Sequence, residues 1–97
     1  MRHEMILAPE AARDVQRLRA SVRSTVRDAV EEHLRHKPTQ VSQSRIKRLQ
    51  GVSRPKFRLR VGEIRVFYDV RESTVEILAV VPKSEAGAWL KREGIAT

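Results

Sequence analysis

The sequence predicts a small α+β protein in which an antiparallel sheet packs on an N-terminal helical hairpin. Apolar residues recur at spacings of three and four in the first third of the chain, as in amphipathic helices. Between Lys56 and Val81 they alternate with polar residues, as in half-buried strands. The chain has 97 residues, so we expect one domain, residues 1–97, with the order β-α-α-β-β-β and a short C-terminal helix.

The first elements are predicted from local signals. Residues His3 to Leu7 are apolar enough for a short first strand. Pro9 suits the first turn of a helix because that position needs no amide donor. Either Ser21 or Ser24 can cap a second helix. The pair Lys37-Pro38 ends this helix, because proline disfavours a helical conformation at the residue before it.

The remaining connections complete the predicted order. The link near Ala20 is very short, so the two helices are expected to form an antiparallel hairpin. Residues 39–55 are polar and basic and are predicted to be a linker to the sheet. After the last strand, Ser84 is expected to cap a short helix that runs to about Arg92, and Gly94 is a natural stop.

Composition narrows the classes of function. The chain has 20 basic and 12 acidic residues, a formal charge of +8. In a small domain this favours a polyanionic or acidic partner over a basic surface that only keeps the protein soluble. The chain has no cysteine, which excludes disulfides, a thiol nucleophile and thiolate zinc sites. The longest apolar run, Ile77 to Val81, is too short to span a bilayer, so we expect a cytoplasmic protein with no membrane partner.

The segment FRLRVGEIRVFY predicts a hairpin with one basic face. A two-residue turn at Val61-Gly62 would place Arg58 directly opposite Arg65. Like charges so placed destabilise a sheet by a few tenths to ~1 kcal/mol. The pair is therefore better explained by a phosphate or carboxylate between the two arginines than by an ordinary solvated face. The other face, predicted to be covered by the helices, carries Phe57, Leu59, Ile64, Val66 and Tyr68.

The last strand has two possible registers. A four-residue loop, Arg71 to Thr74, places its apolar residues on the helix-covered face, and a three-residue loop places them on the basic face. We prefer the first because it buries a continuous apolar set. Lys83 and Ser84 would then bring a fourth cation and a hydroxyl close to the arginines. The apolar set is Val75, Ile77, Ala79 and Val81.

Several kinds of chemistry find no support in the sequence. It contains no Gly-rich phosphate loop, no HExxH motif and no suitably placed pair of histidines. Its carboxylates are scattered, so we predict no metal site and no cofactor. A nuclease built on this chain would use basic side chains to stabilise a phosphorane-like transition state, with an RNA 2′-hydroxyl as nucleophile. Arginine is a poor general base near pH 7, so proton transfer would be its weak point.

The segments FRLRVGEIRVFYDV and VEILAVVPKSEA, after a short strand, a helical hairpin and a basic linker, resemble the RelE/ParE superfamily of bacterial type II toxins. RelE-like members cut mRNA in the ribosomal A site, whereas ParE-like members poison DNA gyrase. The resemblance implies a RelE-like ribosome-dependent mRNA endoribonuclease. The alternatives are a ParE-like non-catalytic gyrase inhibitor and an inactive relative that only binds its antitoxin. The implied partners are mRNA on the ribosome and a cognate antitoxin that covers the basic face or displaces the C-terminal helix.

The resemblance also implies site residues. The family's basic positions fall on Arg58 and Arg60 in one strand and on Arg65 in the next. With Lys83 in support, these are the predicted catalytic residues. The residues predicted to bind RNA are Lys56, Arg45, Lys47, Arg48, Ser84 and Trp89.

Two positions depart from the family pattern. The family's arginine after the last strand falls near Ser84, and its C-terminal tyrosine falls near Leu90, with Trp89 adjacent. The first departure removes a charge stabiliser unless Lys83 replaces it. The second removes a group that could transfer a proton or stack on a base.

Overall fold

The computed structural model describes residues 2–96. A five-stranded sheet has the order β1-β6-β5-β4-β2, and β3 and β7 form a separate two-stranded sheet. The predicted α+β class is confirmed, although β1 pairs parallel with β6 and makes the main sheet mixed. The elements are β1 Glu4–Leu7, α1 Pro9–Arg17, α2 Ala20–Leu34, β2 Ile46–Arg48, β3 Val52–Arg54, β4 Phe57–Val61, β5 Ile64–Arg71, β6 Thr74–Pro82, α3 Lys83–Glu93 and β7 Ile95–Ala96.

The junction between the two N-terminal helices is held by an arginine. Helix α2 starts directly after Arg19, which makes no side-chain capping bond, so the predicted caps at Ser21 and Ser24 are wrong. Instead, the Arg23 guanidinium donates to carbonyl oxygens at the end of α1 at 3.2 and 2.9 Å. The Val15 carbonyl also accepts from the Leu18 amide at 3.1 Å, and the contacts of Arg23 tie the start of α2 to the end of α1. No helix in residues 2–96 is long and apolar enough to cross a membrane.

The main hydrophobic core lies between the helices and one face of the sheet. The five hairpin residues predicted for this face are all buried in it. Within the core, the rings of Phe57 and Tyr68 stack with centroids 5.5 Å apart. The Tyr68 hydroxyl donates to the Pro38 carbonyl oxygen at 2.6 Å, which anchors the segment after α2 to the core.

Two short strands lie in the segment that was predicted to be a linker. Strand β2 pairs antiparallel with β4, with Ile46 opposite Leu59, and Ile46 is buried in the core. Strand β3 pairs instead with β7, near the end of the chain. Each of β2 and β3 has three residues, too few to show a period of two. Only their distant partners make them strands.

The β4–β5 hairpin turns at Gly62-Glu63, one residue later than predicted. The pairing therefore moves by two residues, so that Arg60 lies opposite Arg65 and the predicted Arg58–Arg65 pair is wrong. An even shift leaves every side chain on its predicted face. Gly62 occupies the first turn position with a φ of +57°, a conformation that glycine adopts without strain.

Strand β6 changes face part-way along its length. The β5–β6 ladder skips Leu78, which forms a β-bulge. Before the bulge, Val75 and Ile77 face the main core as predicted. After it, Ala79 and Val81 point to the opposite face, and the prediction for them is wrong. One extra residue reverses the alternation of a strand, and this accounts for the change.

Helix α3 covers the apolar patch that the bulge creates. Trp89 is 3% exposed, and its ring stacks on Phe67 with centroids 4.9 Å apart and planes 9° apart. Its Nε1 atom donates to the Glu10 carboxylate at 3.0 Å, which joins α3 to α1. After α3, strand β7 pairs antiparallel with β3. The sheet is therefore packed on both faces, but only partly on the second.

Candidate functional site

The uncovered part of the second sheet face carries a cluster of cations. Strand pairing arranges them in two rows, with Lys47 opposite Arg58 and Arg60 opposite Arg65. Directly opposed residues in a sheet have Cβ atoms about 4.5–5.5 Å apart. These four residues therefore concentrate positive charge on a small area, which we call the cationic face.

Arg58 lies within the cationic face and is not fully satisfied. Its side chain is half-buried, and its Nε atom is buried with no hydrogen-bond partner among residues 2–96. Burial, followed by the charges of Arg65 and Arg60, lowers the pKa of the Arg58 guanidinium. An unsatisfied buried donor costs about 1–3 kcal/mol. An anion that reached this atom would offset both the lost hydrogen bond and the repulsion.

Arg65 has a different environment from the other cations. It is 6% exposed, and its Nη1 atom donates to the Gly62 and Ile64 carbonyl oxygens at 2.8 and 3.1 Å. It therefore holds the β4–β5 turn from within. A guanidinium has five N–H donors, and these two bonds involve only Nη1.

Arg60 and the start of α3 lie at the open end of the cationic face. Arg60 is exposed and forms no ion pair among the described residues. Lys83 is the first residue of α3, and its amide donates to the Glu63 carbonyl oxygen of the turn at 2.7 Å. Lys83 and Ser84 are exposed. Ser84 lies in the first turn of α3 and does not cap the helix, so that expectation is wrong.

A protein-family model described as "ParE toxin of type II toxin-antitoxin system, parDE" matches residues 5–87. The chain belongs to this toxin family. The predicted membership of the RelE/ParE superfamily is thereby confirmed, and the chain is a type II toxin. No curated protein sequence matches it significantly.

Several solved structures with the same fold are described as RelE toxins. Escherichia coli RelE in the free state, an arginine double mutant, is 18% identical with a TM-score of 0.70, over 96% of this chain and 99% of that one. The toxin in the RelBE2 toxin–antitoxin complex of Mycobacterium tuberculosis is 24% identical with a TM-score of 0.69, over 84% of this chain and 99% of that one. The RelB–RelE complex of Methanococcus jannaschii is 18% identical with a TM-score of 0.66, over 87% of this chain and 96% of that one. At these identities the similarity shows the fold alone.

Three residues of the ParE-family toxin that were predicted to bind RNA lie away from the cationic face or are covered. Arg48 lies over the Phe57 ring, 5.6 Å from its centroid, on the side of the main core. The Trp89 ring is buried, so it has no free face for stacking a base while α3 is docked. Lys56 is exposed, but it precedes β4 at the end away from Arg60.

Arg45 of the toxin lies at the boundary of the cationic face. It immediately precedes the edge strand β2, and its side chain is exposed. Its carbonyl oxygen accepts a hydrogen bond from the Arg60 amide at 2.8 Å. Arg45 therefore extends the row of Arg60 and Arg65 to the rim of the sheet.

An ion cluster that the sequence did not indicate limits the cationic face of the toxin. Arg54 donates to Asp69 at 3.0 Å and to Glu76 at 3.1 Å. The other Asp69 oxygen accepts from the Lys56 amide at 2.7 Å. These contacts neutralise Arg54 and place two carboxylates at the far end of the same sheet face. Asp69 faces Glu76 across β5 and β6, but Arg54 comes from β3, a strand that the sequence did not reveal.

The chemistry that the cationic face of the toxin offers is charge stabilisation. Its polar side chains are arginines and lysine, with Lys83 and Ser84 at its edge. None of these is a good acid or base near neutral pH, so proton transfer would involve water or a group from a target. Within residues 2–96, no group of three or more His, Cys, Asp or Glu residues could hold a metal ion.

Proposed function

We propose that this toxin is a RelE-like, ribosome-dependent mRNA endoribonuclease that inhibits translation in the cytoplasm. The observation that carries the proposal is the buried Nε atom of Arg58, which has no partner among residues 2–96 and lies beside the Arg60–Arg65 pair. This arrangement costs stability, and a bound anion removes the cost. A phosphodiester suits it because the planar guanidinium fork donates two parallel hydrogen bonds to phosphate.

The environments of the cations support distinct roles. Arg58 and Arg60 contact the scissile phosphate, one from within the sheet surface and one from solvent. Arg65 holds the turn and adds its charge behind Arg60, and Lys83 supports from the start of α3. Cations placed around the phosphate stabilise the charge that develops when an RNA 2′-hydroxyl attacks it. The proton from that hydroxyl passes to water or to a ribosomal group.

The test is induction of the toxin in a bacterium, followed by pulse-labelling and by primer extension on a reporter mRNA. We expect protein synthesis to fall before DNA synthesis, and cuts to appear only in translated regions. Arg60→Ala should abolish both effects, whereas Arg13→Ala, which removes an exposed arginine from α1, should leave them intact. DNA damage with early translation intact would overturn the proposal.

The second candidate is ParE-like inhibition of DNA gyrase without catalysis. Two observations favour it: the matched family model describes ParE toxins, and the cationic face offers no side chain suited to proton transfer. On this candidate the cationic face binds an acidic surface of the gyrase. Purified toxin would then block supercoiling by gyrase in vitro and would leave ribosome-bound mRNA uncut.

We also propose that a cognate antitoxin neutralises the toxin. The similar RelE toxins from M. tuberculosis and M. jannaschii are described in complex with their antitoxins. An acidic or amphipathic antitoxin segment would match the charge of the cationic face. Co-expression with the neighbouring antitoxin gene should restore growth, and Arg58→Glu/Arg60→Glu should weaken the complex if this face is the one covered.

A further inference from the structure

A second basic surface lies around the β2 edge from the cationic face. An open cleft of about 500 Å³ lies between the end of α2, the segment after it and the start of β2. We call it the β2-edge cleft. Its lining includes His33, His36, Lys37, Ser42, Ser44 and Arg45.

The charges in the β2-edge cleft are mostly positive. Lys37 and Arg45 are exposed cations, and neither forms an ion pair within residues 2–96. The one carboxylate in the lining is Glu32, which lies 3.6 Å from His33. The cleft therefore attracts anions and leaves two cations free to bind them.

Arg45 links the β2-edge cleft to the cationic face. It lines the cleft, and its carbonyl is bonded to the Arg60 amide. Two residues further on, Lys47 faces Arg58. Because β2 is the last strand of the sheet, no other strand separates the two surfaces. Cations thus follow one another from the middle of the sheet, over its edge and into the cleft.

We propose that the β2-edge cleft binds the sugar-phosphate backbone of the same RNA strand whose scissile phosphate lies at Arg58 and Arg60. This inference rests on the proposed ribonuclease function. Cations with hydroxyl and amide groups between them are typical of backbone contacts, which fix the position of a strand without specifying its sequence. An acidic peptide fits less well because docking needs an apolar anchor. The apolar residue of the cleft, Ile46, is only 4% exposed.

The test compares two oligonucleotide lengths with two matched variants. The probes are 5′-fluorescein 2′-O-methyl RNAs, which cannot be cleaved through the 2′-oxygen. A 12-nucleotide probe is about 40 Å long when stacked and a 4-nucleotide probe about 14 Å, against a largest molecular extent of 35 Å. Lys37→Ala removes one charge from the cleft. Arg19→Ala removes one charge from the opposite end of the 15-residue helix α2, about 22 Å away.

Binding is measured by fluorescence anisotropy over a range of salt concentrations. For the 12-nucleotide probe, we expect Lys37→Ala to weaken binding about three- to fivefold and to reduce the salt slope by about 1. Arg19→Ala should match the parent for both probes, and Lys37→Ala should match it for the short one. Equal affinities of Lys37→Ala and Arg19→Ala for the long probe would overturn the inference. So would a Lys37→Ala variant that loses affinity only for a polyglutamate peptide.

Arg60→Ala separates this inference from the function on which it rests. If Arg60→Ala weakens binding of both probes while Lys37→Ala matches Arg19→Ala, the cleft has no role and the cationic face still binds RNA. If Arg60→Ala leaves both affinities unchanged, the proposed function itself fails, and the inference fails with it.

Discussion

The Asp14 carboxylate of α1 accepts a hydrogen bond from the Val80 backbone amide of β6 at 2.9 Å. Strand β1 pairs with β6 only as far as Ile77. Beyond that residue no strand within residues 2–96 borders this edge of β6, yet the edge is buried under α1. A buried amide needs an acceptor, and Asp14 supplies it. Helix α1 thus takes over from β1 as the hydrogen-bonding partner of β6.

Asp14→Ala should therefore destabilise the toxin by about 1–3 kcal/mol, because the Val80 amide would be left buried without an acceptor. Asp14→Asn retains an acceptor oxygen and should cost less. Urea unfolding followed by circular dichroism measures both losses. A loss for Asp14→Ala no larger than that for Asp28→Ala, at an exposed position of α2, would show that the contact contributes nothing.

Arg60→Ala should abolish toxicity and slightly raise stability. Arg60 is exposed and lies opposite another arginine, so its removal relieves a repulsion of a few tenths to ~1 kcal/mol. Thermal unfolding and growth assays on the same variants test the two effects. A variant that unfolds at a lower temperature than the parent would contradict the repulsive pairing.

Arg65→Ala should lose stability, in contrast to Arg60→Ala. Arg65 is buried and donates to two carbonyl oxygens of the turn. Hydrogen bonds from charged groups contribute about 1.5–3 kcal/mol each. Urea unfolding should therefore shift to a lower midpoint. A folded Arg65→Ala variant with parental stability and parental toxicity would remove Arg65 from both roles.

Tyr68 should make stability fall at alkaline pH. Burial raises the pKa of the Tyr68 phenol well above its usual value of 10.0. The unfolded chain ionises near pH 10 and the folded one much higher, so this stabilisation is complete below pH 10 and is lost as the pH rises above it. Each pH unit above 10 costs up to about 1.4 kcal/mol.

The matched variant for this effect is Tyr68→Phe. At pH 8 it should be less stable than the parent by about 1–2 kcal/mol, because the Pro38 carbonyl loses its donor. Between pH 10 and 11 the difference should shrink, since phenylalanine does not titrate. Urea midpoints of both proteins at pH 8, 10 and 11 measure it. A difference that stays constant across this range would contradict the raised pKa.

Trp89 is the only tryptophan in the chain, so its fluorescence reports directly on the docking of α3. Buried against Phe67, it should emit at short wavelength and resist quenching by acrylamide. Phe67→Ala should expose the ring, shift the emission to longer wavelength and increase quenching. It should also cost about 3–5 kcal/mol of stability, as is typical of large core truncations. Leu90→Ala, which changes a half-buried residue of the same helix, is the milder control.

The sequence was sufficient to predict which face each hairpin residue occupies. Alternation alone assigned Phe57 and Tyr68 to the core and Arg58 to the other face. A pairing error of an even number of residues leaves each side chain on the same face. Alternation could not identify the residue that lies opposite Arg65 in the hairpin. A glycine fits either position of a two-residue turn, and the choice moved the pairing by two residues.

Other features depend on contacts between distant parts of the chain, so local patterns could not reveal them. The bulge at Leu78 places Ala79 and Val81 on the second face, and α3 packs on the apolar patch that they form. A local reading of α3 could not show that Trp89 faces this patch, so an RNA-binding role was predicted for it. The burial of Arg65 has the same origin, since Val81 lies directly opposite it.

The bulge at Leu78 determines which residues of β6 lie beside the cations of the sheet. If Leu78 were paired in regular alternation instead of bulged, Ala79 and Val81 would turn towards the helix pair and Val80 would turn away. Ala79 and Val81 would then leave the surface beneath α3, and Arg65 would lose the apolar residue that lies opposite it. A single bulged residue in β6 thus determines which side chains surround the Arg65 guanidinium, and with that how strongly this cation attracts an anion.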